Sequence, residues 1–173
     1  MKALTQFGVL ALMVLAVGCS RPAPQQQASE APAAASSDFL LATRPADVQG
    51  VALVRSGDGK DGDTVVVEGR IGGSEKPFVD GLAAFTIVDM AIPHCSADEG
   101  CPTPWDYCCE TGKLKDNQAL VKFVGADGQP VSEDARKLLN VKELSHVVVQ
   151  GKLRKDEQGN VTVLAEKAHV VAN

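Results

Sequence analysis

The sequence predicts a mainly β domain built as a small five-stranded barrel with one helix. Five runs rich in β-branched residues follow one another after Asp63, and turn signals separate them. A single segment with helix-starting signals falls between the third and the fourth run. The runs and their connections take up about 110 residues, which is enough for one domain with a modest core.

The predicted strands are short and alternate in polarity. In the first strand, Val65, Val67 and Ile71 share one face, while Glu68 and Arg70 lie on the other. The turn sequence KDEQGN separates the last two strands, which are therefore expected to form a hairpin. The five runs are TVVVEGRIGG (64–73), AAFTIVDM (83–90), ALVKFVG (119–125), LSHVVVQGKL (144–153) and NVTVLAEKAHVV (160–171).

One helix is predicted over SEDARKLLN, residues 132–140. Ser132 is its expected N-cap, because a serine hydroxyl accepts a hydrogen bond from a free amide of the first helical turn. Glu133 and Asp134 suit the positive end of the helix dipole. Leu138 and Leu139 are expected to face the core.

Three strands, a helix and a C-terminal hairpin follow one another in the order of an OB-fold, a five-stranded Greek-key barrel. The sequence resembles this fold through VVVEGRIGG as first strand, FTIVD as second strand, the 132–140 helix and HVVVQGKL as fourth strand. The resemblance implies a barrel over residues 63–173. It makes residues 91–118 a cysteine-rich insertion between barrel strands 2 and 3.

Residues 1–18 are predicted to be a lipoprotein signal peptide. Lys2 precedes an apolar run, FGVLALMVLAV (7–17), which is shorter than the about 20 residues of a membrane-spanning helix. The run leads into LAVGC, which resembles the lipobox of bacterial lipoproteins. This resemblance implies cleavage before Cys19 and lipidation of Cys19, so that the chain is held on a membrane and faces the periplasm or the cell exterior. The alternative is an ordinary secretory signal.

Two segments connect the leader to the barrel. Residues 19–43 are predicted to be a disordered tether rich in Ala, Pro, Gln and Ser, because so few bulky apolar residues cannot offset the entropy of ordering. Residues 44–62 are predicted to form a short helix and a loop. Thr43 is the expected helix cap, and Val48, Val51 and Leu53 are expected to face the domain.

The charge argues against nucleic acid as a partner. Without Lys2, the chain has 16 basic and 22 acidic side chains, a formal charge of −6. OB-folds that bind oligonucleotides need basic residues for phosphates and aromatic residues that stack on bases, whereas Phe85 and Phe123 are expected in the core. The expected partners are the membrane, through Cys19, and an envelope protein or a small ligand.

The insertion contains four of the five cysteines of the chain. An even number of cysteines in an oxidising compartment favours two disulfides, which need no cofactor. Pairing of Cys108 with Cys109 would strain a ring between neighbours. The remaining alternatives are Cys95–Cys108 with Cys101–Cys109, or Cys95–Cys109 with Cys101–Cys108.

A disulfide-knotted insertion would present a recognition tip on a rigid loop. Rigidity before binding lowers the entropic cost of binding a partner. The leading hypothesis is therefore a lipid-anchored binding module of the cell envelope. The tip comprises Pro102, Pro104, Trp105, Asp106 and Tyr107.

The alternative is a metal-binding or metal-delivery site for Zn²⁺ or Cu⁺, formed by His94, Cys95, Cys101, Cys108 and Cys109. The gaps between these cysteines, five and six residues and then none, differ from the paired C-x2–4-C knuckles of familiar zinc sites. Neighbouring cysteines also need an unusual backbone to direct both sulfurs to one ion. The predicted barrel and compartment are similar to those of a periplasmic copper chaperone family that binds Cu⁺ beside a Trp ring.

The sequence favours a protein that is not an enzyme. Catalytic dithiols usually form C-x-x-C at a helix N-terminus, a spacing that Cys108 and Cys109 lack. His146 and His169 fall in predicted strands with apolar neighbours, and the sequence has no nucleophile turn or phosphate loop. The signature CPTPWDYCC resembles secreted proteins of planctomycete-type bacteria, and this resemblance implies no activity.

Overall fold

The computed structural model describes residues 38–172 and confirms the predicted OB-fold barrel. Five strands close the barrel in the order β2-β3-β4-β6-β5, and β2 pairs again with β5. Within the barrel, β4 and β6 are parallel and the other neighbours are antiparallel. A short β1 pairs in parallel with Val67 and Glu68 of β2. The strands are β1 Gln49–Gly50, β2 Thr64–Ile71, β3 Ala84–Val88, β4 Gln118–Phe123, β5 His146–Lys155 and β6 Val161–Val170.

Within the described residues, three α-helices accompany the barrel: α1 Val51–Ser56, α2 Thr111–Asn117 and α3 Ala135–Leu139. Among residues 38–172, no helix is both long and apolar enough to cross a membrane. The predicted signal peptide and Cys19 lie outside the described residues, as does most of the predicted tether.

The helix α3 lies between β4 and β5, the third and fourth strands of the barrel, as predicted. Leu138 and Leu139 are buried. The predicted N-cap, Ser132, is wrong, because the helix begins later in the chain. Asp134 caps it instead, and its carboxylate accepts a hydrogen bond of 2.8 Å from the amide of Arg136.

The predicted cap at Thr43 is also wrong, because α1 begins at Val51, directly after β1. A side chain distant in sequence stabilises this helix start: the Asp89 carboxylate accepts a hydrogen bond of 2.9 Å from the amide of Ala52. The face that α1 buries carries Val51 and Val54, whereas Leu53 is 58% exposed.

The barrel interior is filled by one apolar cluster to which all five barrel strands and α3 contribute. Phe85 and Phe123 lie in it as predicted, with ring centroids 6.2 Å apart. The first barrel strand buries Val67 and Ile71 of its predicted inner face. The barrel thus has a core that is separate from the cysteine-rich insertion between β3 and β4.

Candidate metal centre

The insertion between β3 and β4 folds as a series of tight turns followed by α2. Three 3₁₀ turns, Ala97–Glu99, Pro104–Asp106 and Cys108–Glu110, precede α2. Ser96 and Glu99 form a reciprocal capping box at the first turn, and Gly100 ends it with a φ of 69°. A small apolar cluster supports these turns, formed by Val88, Ile92, Tyr107 and Leu114. Regular secondary structure therefore does little to hold the insertion together.

These turns bring the sulfur atoms of Cys95, Cys101, Cys108 and Cys109 within 4.8 Å of one another. The Sγ atom of Cys108 is central: it lies 3.1 Å from that of Cys101, 3.4 Å from that of Cys95 and 3.9 Å from that of Cys109. Sulfurs at the corners of a tetrahedron around zinc, each about 2.3 Å from the ion, are about 3.8 Å apart. The cluster therefore has the size and the donor atoms of a four-thiolate metal site.

An unusual backbone lets the neighbours Cys108 and Cys109 take part together. Tyr107 adopts a left-handed conformation with a φ of 58°, and the next residues form a 3₁₀ turn. Successive side chains in a 3₁₀ turn are rotated by about 120°, not by the 180° of a strand, so neighbouring sulfurs can converge. This is the unusual backbone that two neighbouring cysteines need in order to direct both sulfurs to one ion.

Asp106 holds this turn in place. One oxygen of its carboxylate accepts a hydrogen bond of 2.8 Å from the amide of Cys108, and the other accepts one of 2.6 Å from the hydroxyl of Thr103. The Thr103 hydroxyl, followed by the amide and side chain of Cys108, keeps the pKa of the Asp106 carboxyl below its usual value. Both oxygens of the Asp106 carboxylate are thus hydrogen-bonded within the turn.

The four thiols influence one another's protonation. The backbone amide of Cys109, followed by the neighbouring thiols, lowers the pKa of Cys95. Interaction with Cys108, and next with Cys95, raises the pKa of Cys101 and raises that of Cys109 to about 11. Without a cation, the cluster therefore favours a thiolate at Cys95 and retains protons on Cys101 and Cys109. A bound cation would favour the thiolate form of all four.

The predicted disulfides are absent from the part of the chain that the structure describes. All four cysteines are free, and the shortest sulfur–sulfur distance of 3.1 Å is well above a disulfide bond of about 2.05 Å. The Cys108 sulfur lies within 3.9 Å of each of the other three, so no single pair is set apart as a bonded one.

His94, which the sequence analysis included among the metal ligands, is not a member of this cluster. Its Nδ1 atom lies 2.9 Å from the carbonyl oxygen of Cys95. The structure therefore brings together four of the five residues of the predicted metal site.

The predicted recognition tip is only partly at the surface. Pro102 is exposed, whereas Pro104 and Trp105 are half-buried. The indole Nε1 of Trp105 donates a hydrogen bond of 3.0 Å to the carbonyl oxygen of Glu75, in the loop between β2 and β3. The prediction is wrong for Tyr107 as an exposed tip residue, because its side chain is fully buried in the small cluster of the insertion.

A second group of charged side chains was not predicted. Glu68 of β2 forms two hydrogen bonds with the Arg44 guanidinium, of 2.7 and 3.1 Å, and a third of 2.5 Å with Nε2 of His146 on β5. The contact with Arg44 has the largest effect and lowers the pKa of the Glu68 carboxyl. Burial raises this pKa, and the contact with His146 lowers it further. No sequence signal links Glu68 to His146, because the pairing of β2 with β5 brings them together.

Comparison with known proteins adds little to this description. No protein-family model and no curated protein matches the chain. Among solved structures, the chain is similar to a crystal structure of a protein assigned as an aspartyl-tRNA synthetase from Leishmania major Friedlin, with 14% identity and a TM-score of 0.43. The match covers 80% of this chain and 24% of the Leishmania protein, so this chain spans about a quarter of the length of that protein. A likeness at this level carries no argument about function.

Proposed function

We propose that this chain binds one zinc ion through the four cysteines of its insertion, on an exported OB-fold barrel that is lipid-anchored at Cys19. The observation that carries the proposal is the convergence of four sulfur atoms within 4.8 Å. Thiolates are soft ligands, and a tetrahedral set of four sulfurs is typical of zinc among the common single-ion sites. We propose no catalytic activity for the site.

The ion would cross-link an insertion that has few other contacts. The four cysteines come from three separate places in the insertion, with Cys108 and Cys109 in one 3₁₀ turn. Within residues 38–172, the apolar cluster of the insertion consists of Val88, Ile92, Tyr107 and Leu114. Binding energy at a structural zinc site contributes directly to folding of the segment that supplies its ligands. A zinc-bound insertion would then hold the exposed Pro102 and the half-buried Trp105 in one arrangement for an envelope partner.

Metal delivery is a second candidate, favoured by the exposure of the site. Cys95 is buried, but Cys108 and Cys109 are exposed. An acceptor with thiolate ligands could therefore approach the ion from the side of these two cysteines. Transfer of zinc to a soluble thiol chelator within minutes would favour delivery, whereas retention over hours would favour the structural role.

The test is elemental analysis of the full chain, purified in detergent under reducing conditions, with thiol counting on the same sample. We expect one zinc per chain and loss of stoichiometric zinc in Cys101→Ser. His94→Ala and Cys19→Ser are matched controls, because they remove a neighbour of the cluster and a cysteine outside it, and both should retain zinc. A metal-free chain with four reactive thiols in the insertion would contradict the proposal, as would stoichiometric copper in place of zinc.

A further inference from the structure

The four sulfurs of the proposed metal site differ in exposure and in distance from one another. Cys108 and Cys109 are exposed, Cys101 is half-buried and Cys95 is buried. The shortest sulfur–sulfur distance, 3.1 Å, joins Cys101 to Cys108. This pair lies only about 1 Å beyond the length of a disulfide bond, closer than the about 3.8 Å between sulfurs that share one zinc ion, so the fold brings these two sulfurs together when the ion leaves. The shortest of these distances therefore involves Cys108, one of the two exposed cysteines.

We propose that oxidation controls this metal site: a peroxide joins Cys101 to Cys108, and the ion is released. This inference rests on the proposed function, since it needs a bound ion. A small oxidant reaches the exposed Cys108 before it reaches Cys95, and Cys101 is the thiol nearest to the oxidised sulfur. Loss of two of four ligands leaves an incomplete site, which binds the ion far more weakly.

The chemistry balances with hydrogen peroxide as the oxidant. The Cys108 thiolate attacks one peroxide oxygen, the O–O bond breaks, hydroxide leaves and a sulfenic acid forms at Cys108. The Cys101 thiolate then attacks this sulfur; the S–S bond forms, the S–O bond breaks and a second hydroxide leaves. The two cysteines lose two electrons and the peroxide gains two. A second peroxide would join Cys95 to Cys109 in the same way.

Besides Cys101, the exposed Cys109 is a candidate partner of Cys108. The neighbouring pair Cys108 and Cys109 is less suited to a disulfide, because its sulfurs are 3.9 Å apart and adjacent residues form a strained ring. Cys101 is therefore the preferred partner of Cys108.

The experiment adds hydrogen peroxide in steps to the zinc-loaded full chain. Free zinc is followed with a chromogenic chelator. Disulfides are mapped in peptides cut on the C-terminal side of Glu99 and on the N-terminal side of Asp106, because these cuts place Cys95, Cys101 and the Cys108–Cys109 pair on three different peptides. We expect zinc to appear in parallel with the link from Cys101, and a thiol reductant to restore zinc binding. Zinc that stays bound while peroxide is consumed would overturn the inference, and so would release with Cys95 in the first disulfide.

Serine variants of the two neighbouring cysteines test whether Cys108 is the partner of Cys101. Cys108→Ser and Cys109→Ser each remove one ligand, but only the first removes the proposed partner of Cys101. Because each variant lacks a zinc ligand, the two are compared without zinc: peroxide-driven loss of the Cys101 thiol should be at least about tenfold slower in Cys108→Ser than in Cys109→Ser, because serine forms no sulfenic acid. Equal rates would overturn the inference. The zinc content of the reduced wild-type chain, measured first, separates this outcome from a failure of the proposed function.

Discussion

The carbonyl oxygen of Trp105 accepts a hydrogen bond of 2.8 Å from the amide of Gly73, and this contact fastens the cysteine-rich insertion to the barrel. The close approach depends on the residue before it. A Cβ on Gly72 would lie 2.5 Å from the Trp105 oxygen and 2.8 Å from Cε2 of Tyr107. The paired glycines after β2 therefore provide the surface on which the insertion packs.

Gly72→Ala should detach the insertion from the barrel. The added methyl group meets a backbone oxygen that cannot move aside cheaply, and overpacking of this kind costs about 1–3 kcal/mol. We expect the free energy of unfolding to fall by this amount in urea titrations, with a change in Trp105 fluorescence. Gly112→Ala in α2 is the control, because its Cβ would point into open space. Equal stability of Gly72→Ala and the wild type would contradict this packing.

Tyr107→Phe should stabilise the protein. The side chain of Tyr107 is fully buried, and within residues 38–172 its hydroxyl has no hydrogen-bond partner. A buried unsatisfied polar group costs about 1–3 kcal/mol, so removal of the hydroxyl should raise the free energy of unfolding by about 1 kcal/mol. Tyr107→Ala should lower it by about 3–5 kcal/mol, because it leaves a cavity. Thermal unfolding measures both changes, and a destabilised Tyr107→Phe would show that the hydroxyl is bonded.

The contacts of Glu68 predict a loss of stability in acid. Arg44, and next His146, holds the pKa of Glu68 below its ordinary value of 4.5. A carboxyl whose pKa is lowered by folding contributes stability that is complete above its unfolded pKa and is lost as the pH falls through its folded pKa. The free energy of unfolding should therefore decrease below about pH 4.5, and this decrease should be smaller in Glu68→Gln.

Urea titrations between about pH 6 and about pH 3 measure this dependence. Glu166→Gln is the control, since it removes an exposed carboxyl on β6, and it should keep the wild-type dependence. If Glu68→Gln and the wild type lose stability in parallel, Glu68 does not contribute through this ion pair.

The barrel could be predicted from the sequence because its signals are local. Alternating strands, glycine-containing turns and an acidic helix start lie close together in the chain, and they specify the strands and α3 to within a few residues. The cap of α3 lies only two residues after Ser132, at Asp134, whereas the start of α1 depends on a residue that is distant in sequence. A side-chain cap is decided by the residue that reaches the free amides, and at α1 that residue is Asp89, which lies 37 positions away from Ala52 in the chain.

The candidate site was harder to predict because it depends on backbone conformation. Known metal-site spacings assume paired knuckles, whereas here the left-handed Tyr107 and a 3₁₀ turn direct neighbouring cysteines to one point. The burial of Tyr107 depends on Gly72, which is distant in sequence. Compartment and cysteine count alone favoured disulfides, because neither contains information about how four sulfurs are arranged.

The most direct test of the central claim is X-ray absorption spectroscopy at the zinc edge on the purified, reduced full chain. We expect a single shell of four sulfur neighbours at about 2.3 Å. A shell that includes nitrogen would indicate that His94 is a zinc ligand. A shell of oxygen neighbours would mean that the four cysteines do not bind the ion, and would contradict the account.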